Sequence, residues 1–292
     1  MSRPAASPTS PVAIGGVGGS GTRLIAQIVE QFGWYMGGDL NGSADNLWFT
    51  LLFKRAEFWP GAGRDDEFAL AVDTFRAVMT GVGSLTADRE AWVRGLAPDR
   101  PQHDRAWLQQ RIESLLASTR TSEPRSGPWG WKEPNTHVFL DRLAAAYAGM
   151  KYIHVVRNGL DMAYSANQNQ LRLWGPLLLG ADAEPTPRAA LRYWCEVQRR
   201  IARIGEQMPG RFLMLSYDAF CRAPADQLGV LMDFIGATAD SNTETAALAS
   251  VRVPDSIGRF RAHDLGVFDR SDVEYVRDLG FDVSTDDCEA RS

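Results

Sequence analysis

The period of the apolar positions changes along the chain, and the changes mark the elements. Val12-Ala13-Ile14 is a short apolar run that enters Gly15-Gly16-Val17-Gly18-Gly19-Ser20-Gly21. After it, Leu24, Ile25, Ile28 and Val29 recur at the three- and four-residue spacing of an amphipathic helix. A strand, a glycine-rich turn and a helix are predicted in that order. Gly33-Trp34-Tyr35-Met36-Gly37-Gly38-Asp39 reads as a short second strand that delivers Asp39 into the polar turn Asn41-Gly42-Ser43. Helical periodicity then fills Leu47 to Lys54, Asp66 to Met79, Asp88 to Leu96 and Asp104 to Leu116, so a helical insertion is expected over about residues 45–121.

Further on, Pro128-Trp129-Gly130-Trp131-Lys132-Glu133 reads as a strand stopped by Pro134, with Asn135 or Thr136 capping a helix through Ala148. Lys151 to Val156 is a near-continuous apolar run, the pattern of a strand buried on both faces. Arg157 leaves that strand, and Ser165 is predicted about two turns into the next helix. His154, inside the strand, reads as a core histidine. A last strand, Phe212 to Ser216, precedes Tyr217-Asp218 and an apolar helix from Pro224 to Gly236. The alternation gives an α/β class with a central, mainly parallel sheet flanked by helices.

With 292 residues, 45% hydrophobic and 23% charged, the chain can bury a full core, and one domain over residues 11–292 is expected. Residues 1–10 are rich in Pro, Ser and Ala and read as a disordered lead-in, not a signal peptide. No run approaches the roughly 20 apolar residues of a membrane helix, so a soluble, cytoplasmic protein is expected. The formal net charge of -5 argues against nucleic acid as a partner. Cys195, Cys221 and Cys288 are odd in number and lack metal-ligand spacing, which fits free thiols in a reducing compartment and no structural metal. Nothing in the sequence sets an oligomeric state.

Candidate chemistry starts at the glycine turn. Five of the seven residues 15–21 are glycine, more than a tight turn needs, and a phosphate approaching the backbone would explain the missing Cβ atoms. The N–H groups of the following helix start point at the same spot. Three loops fit. A nucleoside-triphosphate loop lacks its lysine, because Thr22-Arg23 follows Gly21. Gly16-x-Gly18-x-x-Gly21 satisfies the dinucleotide fingerprint, with Asp39 near the place of a ribose-binding acid, and would suit an NAD-dependent oxidoreductase. The third is the 5′-phosphosulfate loop. Lys132, at a strand end, is one of only three lysines with Lys54 and Lys151 among 31 basic residues; its plain alternative is a surface ion pair with Glu133 or Asp141. The aromatics Trp48, Phe49, Phe53, Phe58, Trp59, Trp92 and Trp107 read as core, or in part as the lining of an acceptor pocket.

Gly18 to Arg23, then Arg157-Asn158 with Asp161 and Ser165, then Phe212 to Asp218 with Pro224 and Phe234-Ile235-Gly236, then Ser256 to Arg261 follow one another in an order that resembles the PAPS-dependent sulfotransferases. The likeness is to the bacterial type, with features shared with tyrosylprotein and heparan sulfate sulfotransferases. It spans about Val12 to Arg261 and leaves the helices of the insertion without a motif. It implies a P-loop-like three-layer fold and transfer of a sulfuryl group from 3′-phosphoadenosine 5′-phosphosulfate (PAPS) to a hydroxyl or amine, leaving 3′-phosphoadenosine 5′-phosphate (PAP). The acceptor would be a small molecule, glycan or lipid, and no metal would take part.

By the same resemblance, the backbone of Gly18, Gly19, Ser20, Gly21 and Thr22, the hydroxyls of Ser20 and Thr22, and Arg23 would hold the 5′-phosphosulfate. Arg157 and Ser165 would hold the 3′-phosphate, Tyr217 would lie near the adenine, and Arg259 belongs to the loop that closes over the nucleotide. One departure stands out: Gly19 occupies the place where the family usually carries Lys or Arg. Lys132, in Lys-Glu-Pro, resembles the family's second lysine and could take over; otherwise the chain would bind PAP or PAPS without catalysis. Asp39, His137 and Glu133 are the candidates for the acceptor's base. Asp39 is favoured, because His137 at a helix start reads as a surface imidazole.

Overall fold

The first predicted strand and helix both form, as β1 (Val12–Gly15), buried throughout, and α1 (Thr22–Gln31), which buries Ile25, Ala26, Ile28 and Val29 and exposes Arg23, Gln27 and Glu30. The computed structural model describes residues 10–61, 63–97, 100, 102–121, 123–180 and 183–285. All of the expected lead-in except Ser10, and also Cys288, lie outside the described residues. The chain gathers into two compact units, one of Arg23–Tyr152 with the stretch up to Gly15, the other of Gly16–Thr22 with Ile153 onward.

In the first unit β1 pairs in parallel with β2 (Gly130–Lys132), in the register Val12 to Gly130, Ala13 to Trp131 and Ile14 to Lys132. Parallel pairing sets the C-terminal ends of the two strands side by side, so Lys132 stands opposite Ile14 at the end of β1. The four helices expected in the insertion form as α2 (Leu47–Phe53), α3 (Asp65–Thr80), α4 (Ala87–Arg94) and α5 (Arg105–Thr121). Every residue of α2 is buried. Its Phe49 stacks on Trp131 with ring centroids 5.7 Å apart and meets the edge of Phe75 at 5.6 Å, so most of the aromatic run is core.

Two expectations in this unit are corrected. Gly33–Asp39 is not a strand; Tyr35 makes a single bridge to Trp129. Gly33 and Gly37 take positive φ (93° and 123°), and a Cβ on Gly37 would stand 2.3 Å from Asn46 Nδ2, so the segment bends where a strand would run straight. The element after β2 is capped by Glu133, whose carboxylate accepts from the Asn135 N–H at 2.5 Å, and not by Asn135 or Thr136. It begins as a 3-10 turn, Pro134–Phe139, and becomes α6 (Leu140–Ala146), which ends at Ala146 and not at Ala148.

The second unit, from Ile153 on, carries most of β3 (Lys151–Val156) and its neighbour β4 (Phe212–Ser216). Around them lie α7 (Gly159–Ala163), α8 (Asn169–Leu178), α9 (Pro187–Glu206), α10 (Tyr217–Arg222), α11 (Pro224–Ile235), α12 (Ser241–Ser250) and α13 (Arg270–Asp278). The α/β class expected from the alternation is the class observed. His154 is fully buried and shares a 2.9 Å hydrogen bond with Gln198 of α9, the core role read from the sequence. Helix α7 is one turn shorter than expected and Ser165 lies beyond its end. The Gln168 side-chain amide donates to the Met162 and Ser165 carbonyls (3.0 and 2.9 Å), so a side chain closes the turn where more helix was predicted. Among the described residues, no helix is long and apolar enough to cross a membrane.

Candidate functional site

Within the second unit the glycine turn is shaped by what presses on it. Gly21 has φ +94°, and a Cβ there would stand 2.1 Å from Cδ2 of Tyr217, so the tyrosine ring lies directly on the backbone of the turn. Gly16 is held equally closely: a Cβ would meet the Val155 carbonyl oxygen at 2.4 Å, and its own carbonyl accepts from the buried Gln170 Nε2 at 3.2 Å. Gly19, at φ +97°, faces Met162 and Ser165, its Cβ position lying 3.8 Å from Ser165 Oγ. Gly18 faces Asn167 in the same way, 3.3 Å from Nδ2.

The turn therefore gathers Tyr217 and Ser165 to itself, residues remote in sequence. Asn167 and Gln170 join them, and sequence reasoning missed both. Their only signal was position, two and five residues past Ser165. Thr22 and Ser20 are buried at 4% and 1% exposure, while the Arg23 side chain is exposed. The first N–H groups of α1 have no helical acceptor. Ser20 Oγ is itself buried without a hydrogen-bond partner among the described residues.

Arg157 leaves β3 on the same side and is 7% exposed. Its Nη2 donates to Ser256 Oγ at 2.8 Å, its guanidinium carbon lies 5.8 Å from the Tyr217 ring centre, and its Nε is buried without a partner among the described residues. Ser256 belongs to a segment tied down by Asp161, whose carboxylate accepts from the Gly258 and Phe260 N–H groups at 2.8 and 3.2 Å. Arg259, in that segment, is half-buried and donates to the carbonyls of Ser256 and Tyr164, both at 3.3 Å. Burial pushes the Tyr217 hydroxyl up to about 12 and raises the Asp218 carboxyl, although Asp218 accepts from the Asn158 N–H at 3.1 Å. The second unit thus brings together a glycine cradle, two orphaned buried donors and an aromatic face.

The first unit holds the acid and base candidates. Lys132 is 2% exposed; its ammonium donates to the Ser43 carbonyl at 3.0 Å and to the Asp45 carboxylate. The partner is Asp45, and not Glu133 or Asp141, because the turn 41–46 folds back on β2, with Asn46 N–H bonded to the Lys132 carbonyl at 2.8 Å. Asp39 Oδ2 lies 3.1 Å from Arg111 Nε of α5, yet neither atom has an aligned hydrogen bond. The Asp39 carbonyl accepts from Leu47 N–H at 2.9 Å, so Asp39 and Lys132 flank the same turn. Glu133 is buried; burial raises its carboxyl against the pull of Lys54, and its oxygens accept from Asn135. His137 is 2% exposed in the 3-10 turn, which corrects the surface reading.

Compared with solved structures, the chain is similar to the sulfotransferase domain of an olefin synthase from Synechococcus PCC 7002, with a TM-score of 0.52 and 17% identity over 97% of this chain and 99% of that one. Such a likeness concerns the fold, which is the P-loop-like one expected. A sulfotransferase from Mycobacterium avium, STF9, gives a TM-score of 0.47 and 18% identity over 96% of this chain and 78% of that one. The sulfotransferase domain of the curacin biosynthetic pathway gives 0.48 and 17%, covering 95% of this chain and all of that one, 100%. No curated protein matches the chain. Residues 11–241, most of its length, match the model of the sulfotransferase family, and the chain belongs to that family.

Proposed function

We propose that the protein transfers a sulfuryl group from PAPS to a hydroxyl or amine of an acceptor. The observation that carries the donor is the convergence on one turn of the Gly21 and Tyr217 contact, the orphaned Ser20 Oγ and the orphaned Arg157 Nε. These residues fit a nucleotide with phosphate at two places. The turn's N–H groups, Ser20 and Thr22 would bind the 5′ end. Arg157, with Ser165, would take the 3′-phosphate in charge-assisted hydrogen bonds. Tyr217 would present its ring to the adenine, and Arg259 would lie over the nucleotide. Arg23, exposed, would contribute charge and no fixed contact.

PAPS supplies an activated sulfuryl group, and the chain's part is to position and to balance charge. Gly19 cannot be exchanged for the family's usual cation without strain, because its backbone is left-handed. The structure thus gives a physical reason for the departure seen in the sequence. Lys132 is the proposed substitute, holding charge near the leaving oxygens, with Asp45 fixing its ammonium. Asp39 is the proposed base; its Oδ2 is buried and without an aligned hydrogen bond. His137 and Glu133 are alternatives, Glu133 the weaker because Asn135 occupies its oxygens.

Gly19 supports a second reading, a PAP-binding protein without turnover. The two are separated by single-turnover assay with PAPS and a panel of hydroxyl and amine acceptors, run beside calorimetry with PAP, ATP, NAD and adenosine 5′-phosphosulfate. The proposal expects PAP to bind tightest and sulfuryl transfer to be detected. Tight PAP binding with no transfer selects the second reading, and preference for NAD or ATP overturns both.

A further inference from the structure

The first unit has a further polar centre, which runs from Asp39 to His103. Three buried polar atoms without hydrogen-bond partners among the described residues lie along one line of contacts: Asp39 Oδ2, Arg111 Nε and His103 Nε2. Trp107 joins them. Its ring stacks on His103 with centroids 3.9 Å apart at 14°, and the Arg111 guanidinium stands over it at 5.5 Å. The tryptophan packs against both neighbours, and His103 Nε2 and Arg111 Nε have no aligned hydrogen bond among the described residues.

Cations surround this line. Arg100 donates to the Leu51 and Thr50 carbonyls at the end of α2, at 2.7 and 3.4 Å, and Lys54 caps the same helix end. Both side chains are half-buried, and neither has a carboxylate within ion-pair distance among the described residues. Capping α2 accounts for where Arg100 sits. It does not account for Lys54 or for the buried His103 nitrogen. The other charges nearby are spoken for: Arg55 pairs with Glu67 at 2.6 Å, Arg111 with Asp39, and Lys132 with Asp45. The carboxylates that act on this group are Glu133 on Lys54, Glu57 on Arg100 and Asp104 on His103, and none of them forms an ion pair with Lys54 or Arg100 among the described residues. His103 reports the same field, held neutral with its imidazole lowered to about 4 by burial and by the nearby Lys54 and Arg100 cations.

We infer that Lys54, Arg100 and His103 form an acceptor subsite for a molecule that carries an anionic group, a carboxylate or a phosphate ester, beside the hydroxyl that reacts. The anion would meet Lys54 and Arg100, and the orphaned Nε2 of His103 would receive a neighbouring polar atom. A neutral lipid alcohol would leave these cations and the His103 nitrogen desolvated without compensation, so it is disfavoured. The subsite deepens the proposed transfer reaction and rests on it only for the word acceptor.

The test is calorimetry on the full chain, with and without saturating PAP, using two matched probe pairs: 4-hydroxybenzoate against 4-hydroxybenzyl alcohol, and glucuronate against glucose. At least one anionic member is expected to bind about tenfold or more tightly than its neutral twin, the scale of one charge-assisted contact. Lys54→Gln and Arg100→Gln should each remove most of that preference, and Lys54→Arg should keep it. Only the anionic member should shift the His103 imidazole resonances. Arg100→Gln could loosen α2, and Lys54→Gln, on a half-exposed side chain, supplies the reading if it does. No preference for either anionic probe, or a preference unchanged in Lys54→Gln, overturns the inference. Failure of PAP to bind would strike the donor reading alone, because the probe pairs are also measured without it.

Discussion

Gly21→Ala puts the contact between the glycine turn and Tyr217 under the most direct strain. The new Cβ would stand 2.1 Å from Cδ2 and 2.4 Å from Cε2 of the ring, at a backbone with φ +94°. The left-handed conformation alone costs an L-residue about 1–2 kcal/mol. Forcing a methyl group into a filled site adds about 1–3 kcal/mol. The sum, about 2–5 kcal/mol, is a large part of an ordinary domain's stability of about 5–15 kcal/mol. Urea unfolding followed by circular dichroism reads it without nucleotide. Tyr217→Ala removes the obstacle and leaves the dihedral cost, so the double variant should recover about 1–3 kcal/mol relative to additivity. PAP affinity should fall in both single variants. A Gly21→Ala protein within about 0.5 kcal/mol of the parent, or strict additivity in the cycle, would refute the packing described.

Lys132→Ala should lower the single-turnover rate by roughly 10²-fold or more, the scale of a lost oxyanion partner, while PAP affinity stays within a few-fold; a normal rate would remove Lys132 from the chemistry. Asp39→Asn should be slow to a similar degree on an accepted substrate and His137→Ala near normal; the reverse pattern would exchange their roles. Burial lowers His154 to about 4 against the ordinary 6.5, so its contribution is complete above pH 6.5 and is lost as pH falls towards 4. That is a loss of about 3 kcal/mol over the window, and His154→Gln should show a flatter stability profile there; an unchanged slope would contradict the assignment. In the proposed reaction organic cations and N–H donors stand where a nucleotide kinase would use Mg²⁺, so transfer should persist in EDTA; loss restored by Mg²⁺ would oppose this.

Much of the fold was legible because its signals are local. The apolar run Val12 to Ile14, the glycines and the Leu24 to Val29 periodicity specify strand, turn and helix without help from the rest of the chain. The same holds for Lys151–Val156 and for the insertion helices, whose apolar spacing repeats over several turns. Gly33–Asp39 misled because apolar and aromatic residues there suggested a strand, whereas glycine backbone angles and the long-range demand of Asn46 decided the path. Ser165 was legible as a neighbour of Arg157 in sequence but not as part of a turn, since its closure depends on the Gln168 side chain.

The candidate site divides along the same line. Glycines and Arg157 suggested phosphate chemistry by residue type. The partners that fix them do not: Asp45 for Lys132, Arg111 for Asp39 and Ser256 for Arg157 are all pairings across many residues, set by how loops return. His103 and Trp107 carried no motif, and only burial with unmet hydrogen bonds drew attention to the line they share with Asp39.

The central claim is that Arg157 reads a 3′-phosphate beside the glycine turn. Calorimetric affinities of the parent and of Arg157→Ala, for PAP and for the same nucleotide without its 3′-phosphate, test it directly. The variant should lose roughly 1.5–3 kcal/mol of binding to PAP, about tenfold or more, and almost nothing for the dephosphorylated nucleotide. Equal losses for the two ligands would contradict the account.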